Sequence, residues 1–136
     1  MPILCFNNAS DAATPDDVRI NSSAVRFVEA ARHEQKGSTI IHLMGQGEVG
    51  IPVVETVEEV VAAIGGLAAA GRHYLAGAGG GSASTVYIAV NNVSYLRPNK
   101  IAKPAYWYIY FVDGYELRVL DPLPAACDAS GMLRSR

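Results

Sequence analysis

The spacing of apolar and polar positions between Val18 and Ile51 recurs 68 residues later in the chain. Five aligned pairs are identical: Val18 and Val86, Ile20 and Ile88, Val25 and Val93, Ile41 and Ile109, and Glu48 and Glu116. Other pairs exchange one apolar residue for another, whereas polar positions differ freely, because strand faces constrain burial more than identity. Chance similarity between two strand-rich halves is the alternative, but the shared spacing favours a tandem duplication of one small β unit.

Short apolar runs separated by turn residues predict four strands in each copy. The strands of the first copy are expected at 18–20, 25–28, 39–44 and 49–54, and those of the second at 86–88, 93–96, 106–112 and 116–120. Asn21, Ser22 and Ser23 are typical of side-chain turns, and Asp113-Gly114 is a strong hairpin signal. The sequence therefore predicts a mainly β fold.

A helix is predicted after the first copy. Thr56 and Glu59 have the spacing of a capping box, apolar residues follow on one helical face, and Gly65 ends the helix. The second copy has Pro122 and Pro124 where the first has this cap. Its helix is therefore expected to be short, starting near Pro124, or absent.

These elements divide the chain into five segments. They are an N-terminal arm at 1–17 that can include an edge strand, a first repeat at 18–64, a Gly/Ala-rich linker at 65–84 with a short helical turn near 67–74, a second repeat at 85–130 and a tail at 131–136. Each repeat is near the lower size limit for an independent core. The two repeats are therefore expected to pack together or to oligomerise.

Composition narrows the class of protein further. Half of the 136 residues are hydrophobic, so the chain should have surface to bury against a partner and is expected to form a homo-oligomer. The net charge of -2 predicts no strong non-specific attraction to nucleic acid, but it leaves room for a local basic face. Cys5 and Cys127 are expected to be reduced thiols. Because no long apolar run or secretory segment is present, we expect a cytoplasmic protein with no membrane contact.

No residue pattern supports catalysis. Gly45 to Gly50 satisfies G-x-G-x-x-G, but a strand-like run follows it, so the pattern predicts a hairpin turn. A nucleotide-binding enzyme would require these glycines to open a helix. The glycine run at 77–84 lacks the Lys-Ser/Thr of a phosphate loop, and the three histidines have no metal-ligand spacing. We therefore expect no catalytic residue, no metal and no cofactor, and hence no enzyme.

A row of tyrosines in the predicted strand at 106–112 is the most informative feature. The repeat register places Ile109 and Phe111 on the core face, together with Trp107. The other face carries Tyr106, Tyr108 and Tyr110. Such a row can pack against the other repeat or a second subunit, because tyrosine is favoured at interfaces. It can instead stack on unpaired bases, at about 1–3 kcal/mol per base.

Basic residues near this row are candidates for phosphate contacts. Arg97, Lys100 and Lys103 precede the strand, and Arg26, Arg32 and Lys36 occupy the corresponding region of the first repeat. Each is equally consistent with a solvated loop charge. Together with Tyr106, Tyr108 and Tyr110, these six cations form the predicted nucleic-acid-binding set.

Several segments of the first repeat resemble known families. The run VRFVEA, the segment TIIHLMGQGE and the helix ETVEEVVAAI look like those of bacterial FlbD-like swarming-motility proteins and, more distantly, of Sm-like (LSm) barrels. VRFVEA and TVEEV are also similar to the β core of LytTR-type DNA-binding domains. The Sm-like resemblance implies two tandem small SH3-like/Sm-like barrels of strongly bent antiparallel strands with a short helix after the first. It also implies assembly through strand edges and RNA or DNA binding through loops. The Sm1 and Sm2 motifs are missing, so no uridine-pocket residue is assigned.

Two functions follow from these features. The first is a non-enzymatic, Sm-like regulatory protein that binds RNA, A/T-rich DNA or both, with single-stranded or A/U(T)-rich targets. The alternative is a protein-interaction or oligomerisation module that uses Tyr106, Tyr108 and Tyr110. Salt dependence separates the two, because phosphate contacts weaken steeply with salt whereas a buried aromatic interface does not.

Overall fold

The computed structural model describes residues 3–9, 17–31, 38–46, 50–74, 85–99, 101 and 106–120. In these residues the chain runs twice through the same order of elements. Repeat 1 contains β1 (Ile3–Asn7), β2 (Asp17–Asn21), a 3-10 turn (Ser22–Ala24), β3 (Val25–Ala30), β4 (Thr39–Leu43) and β5 (Ile51–Val53). The helix α1 (Val57–Ile64) follows. Repeat 2 contains β6 (Leu67–Arg72), β7 (Thr85–Ala89), a 3-10 turn (Val90–Asn92), β8 (Val93–Asn99), β9 (Tyr106–Phe111) and β10 (Glu116–Leu120).

Local hydrogen bonds set the first turn and the helix start as the sequence predicts. Asn21 Oδ1 accepts from the backbone N–H of Ser23 at 3.0 Å, which starts the 3-10 turn after β2. Thr56 Oγ1 accepts from the N–H of Glu59 at 3.2 Å, and the Glu59 carboxylate accepts from the N–H of Thr56 at 2.9 Å. This capping box satisfies two N–H groups that the first turn of α1 leaves without helical partners.

The two repeats share irregular features at equivalent positions. The β3–β4 ladder is interrupted between Val25 and Phe27, and the β8–β9 ladder is interrupted between Val93 and Tyr95. Both interruptions lie at the same place when the chain is shifted by 68 residues. The backbone bonds Met44 N–H to Ala24 O and Val112 N–H to Asn92 O, each 2.9 Å, are also equivalent. A bulge at a defined position is a specific feature of a strand, so its recurrence at the equivalent position of the second repeat supports a tandem duplication.

The strands form three antiparallel sheets, and the largest contains strands from both repeats. Their orders are β1-β2, β10-β9-β8 and β5-β4-β3-β7-β6. The repeats join in the third sheet, where β3 pairs with β7 through Phe27–Ile88, Val28–Tyr87 and Glu29–Val86. Isolated bridges, Asn8 to Val53 and His73 to Val119, link the first and last strands of each repeat. The predicted mainly β, antiparallel fold is confirmed, whereas the described residues form no closed barrel.

Each repeat has its own apolar cluster, and each cluster also includes or contacts residues of the other repeat. The cluster of repeat 1 includes Ile20, Val28 and Ile41, with Tyr87 of repeat 2 packed against it. The cluster of repeat 2 is built mainly from β7, β9 and β10, but it also contains Phe27 of repeat 1, which has no exposed surface. Neither core is therefore complete without the other repeat, as expected for units of this size.

Part of the predicted linker at 65–84 is a strand. Residues 67–72 form β6, so the expected short helical turn near 67–74 is wrong. These small residues pair with β7, as in Ala68–Ile88, and pairing with a neighbouring strand overrides their weak intrinsic preference. The arm at 1–17 contributes β1 as the suggested edge strand. The tail at 131–136 and the region of Pro124 lie outside the described residues.

The glycine pattern at 45–50 does not begin a helix. Gly45 has a φ of 82° and lies in a turn, and β5 follows and pairs antiparallel with β4 through Ile41–Ile51. The predicted hairpin connection is confirmed. In the described residues a strand follows these glycines, so the pattern lacks the helix N-terminus that would hold a dinucleotide pyrophosphate.

Candidate interaction surface

One face of the β10-β9-β8 sheet carries the tyrosine row. Cross-strand pairing places Tyr95, Arg97 and Asn99 of β8 opposite Tyr110, Tyr108 and Tyr106 of β9, and these opposite Glu116, Arg118 and Leu120 of β10. Directly paired residues project to the same side of a sheet. We call these nine residues the tyrosine face.

The other side of β9 packs into the core of repeat 2. Ile109 and Phe111 are buried there, and Trp107 packs against them. The predicted alternation along β9 is confirmed, although Tyr106 on the tyrosine face is only 8% exposed. Its ring is covered by Tyr74, with ring centres 4.7 Å apart.

The rings of the tyrosine face contact one another and two guanidinium groups. The rings of Tyr95 and Tyr110 are stacked with centres 4.5 Å apart. The guanidinium carbon of Arg97 lies 4.7 Å from the ring centre of Tyr108, and that of Arg118 lies 5.6 Å from the same ring. These distances are within the range of cation–π attraction. Tyr108 is therefore flanked by positive charge from both neighbouring strands.

Hydrogen bonds hold the hydroxyl groups of the face in place. Arg97 donates to the Tyr110 hydroxyl at 3.0 Å, and Asn99 Nδ2 donates to the hydroxyls of Tyr106 and Tyr108 at 3.1 and 3.3 Å. The hydroxyls of Tyr106 and Tyr108 are 3.2 Å apart. Their shared hydrogen bond lowers the pKa of Tyr108 and raises that of Tyr106. The face is thus an ordered network rather than a set of independent rings.

The equivalent face of repeat 1 is buried against repeat 2. Phe27 stacks on His42 with ring centres 4.0 Å apart, at the positions that correspond to Tyr95 and Tyr110. Phe27 has 0% exposed surface, whereas Tyr95 is 53% exposed. The ring of Phe111, from repeat 2, lies 6.2 Å from that of Phe27. Among the described residues, the same stacked pair is therefore buried in repeat 1, whereas in repeat 2 its Tyr95 ring is half exposed.

A buried carboxylate lies at this junction between the repeats. Glu29 is 1% exposed, and its two oxygens contact His42 Nε2 at 2.8 Å and His73 Nδ1 at 2.9 Å. Burial alone would raise the pKa of Glu29, but the hydrogen bonds from His42 and His73 lower it to about 2. Because His73 directly follows β6 of repeat 2, this cluster ties the two repeats together.

Arg26 belongs to the same junction and not to the tyrosine face. Its side chain is 2% exposed, forms an ion pair with Asp113 of repeat 2 and lies 3.8 Å from the ring centre of Tyr115. Asp113 also accepts from the N–H of Gly45 at 3.0 Å. Burial raises the pKa of Asp113, but the bonds from Arg26, Gly45 and Tyr115 leave it below its usual value.

The predicted nucleic-acid-binding residues are only partly brought together. Arg97, Tyr106, Tyr108 and Tyr110 share the tyrosine face, whereas Arg26 is buried elsewhere. Arg32, Lys36, Lys100 and Lys103 lie outside the described residues. Sequence reasoning missed Tyr95 and Arg118, which alternation along β8 and β10 could have assigned to the face.

The described residues contain no group of three or more His, Cys, Asp or Glu side chains placed to hold a metal ion. None of the helices in this part of the chain is long and apolar enough to cross a membrane.

Comparisons with family models, curated proteins and solved structures found no match to this chain. The resemblance to FlbD-like and Sm-like proteins therefore stays a prediction.

Proposed function

We propose that this protein is a non-enzymatic assembly module whose tyrosine face binds another protein surface. The observation that carries this proposal is the equivalence between the two repeats. In repeat 1, the stacked pair Phe27–His42 is buried at the junction with repeat 2, with 0% and 6% exposed surface. In repeat 2, the rings of Tyr95 and Tyr110 are stacked in the same way, and among the described residues Tyr95 is 53% exposed.

The chemistry of the face supports a protein partner. Tyrosine offers a large apolar ring together with a polar group that remains satisfied when water is removed. The hydroxyls of Tyr106, Tyr108 and Tyr110 already have hydrogen-bond partners within the face. Covering the rings would therefore leave few polar groups without partners, and this lowers one of the costs of forming an interface.

We also infer that each repeat is a small barrel-like unit. Two observations support this: the end of β1 bonds to β5, with Val54 N–H to Asn7 O at 2.8 Å, and the end of β6 bonds to β10, with Tyr74 N–H to Arg118 O at 2.8 Å. These bonds bring the first and last strands of each repeat together. Amide hydrogen exchange should show Val54 and Tyr74 protected to a similar degree, and rapid exchange at both would contradict closure.

A site-specific photo-crosslinker tests the assembly function. We expect a benzophenone amino acid in place of Tyr95 to give protein adducts that resist nuclease in cells that produce this chain. The matched control places the same group at Ile3, which is 60% exposed against 53% for Tyr95. Equal yields at the two positions, or adducts that nuclease removes, would contradict the proposal.

Single-stranded nucleic acid is the second candidate, favoured by the two guanidinium groups beside the rings. Arg97 and Arg118 contribute two positive charges to the face, and Glu116 offsets one of them through a 2.9 Å bond to Arg118. One surface of the exposed Tyr95 ring contacts Tyr110, so the opposite surface could receive a base.

Oligonucleotide binding at two salt concentrations tests this candidate. Fluorescence anisotropy with labelled single-stranded RNA and DNA, in A/U- or A/T-rich and G/C-rich versions, should show binding that weakens with salt and in Arg97→Ala. Arg19→Ala, an exposed cation on β2, is the control for a simple loss of charge. No binding at tens of micromolar protein would exclude the candidate and leave assembly.

A further inference from the structure

We propose that the partner of the tyrosine face is a second copy of this chain, which adds its β2 to the outer edge of β8. This inference rests on the assembly function proposed above and names the partner. A bound strand of this kind would extend the β10-β9-β8 sheet by backbone hydrogen bonds.

The contact between the two repeats of one chain provides the pattern for the proposed contact between two chains. β3 is paired on both sides, with β4 of its own repeat and with β7 of repeat 2. β8 is the equivalent of β3, yet in the described part of the chain it pairs only with β9. β2 is the equivalent of β7, yet among the same residues it pairs only with β1. The chain thus carries a second set of the two strand edges that join its own repeats.

The register of the new contact follows from the internal one. Shifting the β3–β7 pairs by 68 residues, forward for β3 and backward for β7, gives three new pairs. They place Tyr95 opposite Ile20, Leu96 opposite Arg19 and Arg97 opposite Val18 of the second copy. Pro98, which has no N–H to donate, lies just beyond the third pair, where the internal ladder also ends.

Side chains needed to cover Tyr95 are present at the equivalent positions. In the internal junction, Phe111 packs near Phe27. The position equivalent to Phe111 is Leu43, a partly buried apolar residue that borders the core of repeat 1. A second copy bound in the proposed register would bring its Leu43 against the Tyr95–Tyr110 stack. The proposed second copy therefore supplies both an apolar side chain for the Tyr95–Tyr110 stack and a strand edge for β8.

A long strand edge with an exposed aromatic side chain is usually blunted or covered. β8 has seven residues, and the described residues place no strand along its outer edge. The β2 strand of a second copy would cover this edge, and it is available wherever the protein itself is present. Because each chain offers both edges, two copies can satisfy each other, as in a symmetric dimer.

Disulfide trapping between two different variants tests the register. One preparation carries Arg97→Cys and the other Val18→Cys, both in a background with Cys5→Ser and Cys127→Ser. Cys5 must be replaced because it lies opposite Arg19 in the β1–β2 ladder, beside position 18. After mixing and mild oxidation, we expect mixed dimers that carry one chain of each variant. In the control mixture, the Arg118→Cys variant takes the place of the Arg97→Cys variant. Arg118 is exposed and lies on β10, at the opposite edge of the same sheet.

The outcomes separate this inference from the assembly function. Mixed dimers well above the Arg118→Cys control, together with sedimentation of the unmodified chain above monomer mass, support a second copy. A variant with both cysteines in one molecule could instead form a disulfide within a single chain. That result, without mixed dimers, would show that β2 and β8 pair within the chain, and it would overturn the inference. A monomer at all concentrations that still crosslinks another protein through position 95 would also overturn it, while leaving the assembly function intact.

Discussion

The buried Glu29 gives the sharpest prediction about what holds the repeats together. In the folded chain its carboxylate accepts from His42 and His73, and its pKa is lowered from 4.5 to about 2. A shift of this size corresponds to about 3 kcal/mol of preference for the charged form, at 1.36 kcal/mol per pKa unit. We therefore expect Glu29→Gln to lower the free energy of unfolding by about 2–3 kcal/mol at pH 7.

The pH dependence of this loss has a defined sign. A carboxyl group whose pKa is lowered by folding stabilises the protein above its unfolded pKa and ceases to do so as the pH falls through the folded value. The difference in stability between the wild type and Glu29→Gln should be full above pH 4.5, about half as large near pH 3, and close to zero near pH 2. Titrating groups that do not contact Glu29 are shared by the two proteins and cancel in the difference.

Urea unfolding followed by the fluorescence of Trp107, the single tryptophan, measures this difference. Glu58→Gln, an exposed carboxylate on α1, is the matched control and should change stability by less than about 1 kcal/mol. A double-mutant cycle with His73→Gln should give a coupling energy of about 1 kcal/mol or more. A difference between wild type and Glu29→Gln that stays constant from pH 7 to pH 3 would refute the reasoning.

Three other contacts lead to further predictions about the free energy of unfolding. Asp113→Ala should destabilise the fold by about 3 kcal/mol in urea unfolding, because it removes the carboxylate that faces the buried Arg26; a loss below about 1 kcal/mol would contradict this. Thr56→Ala should cost about 1 kcal/mol by the same assay, whereas Thr56→Ser should retain most of the cap, and equal losses would argue against capping. Gly50→Ala should cost about 1–3 kcal/mol, because its added methyl group would overlap Ile40; unchanged stability would show that this contact relaxes freely.

Features set by short-range chemistry could be predicted from the sequence. The turn at Asn21 and the cap at Thr56 depend on residues within three positions of each other. The alternation along β9 follows from the two-residue period of a strand, which separates Tyr108 from Ile109. The duplication could be recognised because both copies keep the same apolar spacing.

Features set by distant contacts could not be predicted in this way. Nothing in the sequence of β6 marks it as a strand, since its small residues acquire that state by pairing with β7. The burial of Glu29 and Arg26 depends on partners 44 and 87 residues away along the chain. For Glu29 and Arg26 the deciding partner lies across the junction between the repeats, and the sequence does not show which strand edges meet.

The divergence of the two repeats is itself informative about the tyrosine face. At two equivalent ring positions, the covered face of repeat 1 has Phe27 and His42, whereas the open face of repeat 2 has Tyr95 and Tyr110. A surface that always faces water has no need of stacked rings, and charged or small polar side chains would serve there. A surface that is always covered has no need of hydroxyl groups. Tyrosine fits a face that is exposed in one state and covered in another, because its ring favours burial and its hydroxyl tolerates water. The presence of a stacked pair in both repeats, with hydroxyl groups only on the pair of repeat 2, therefore favours the proposal of a face that binds its partner reversibly.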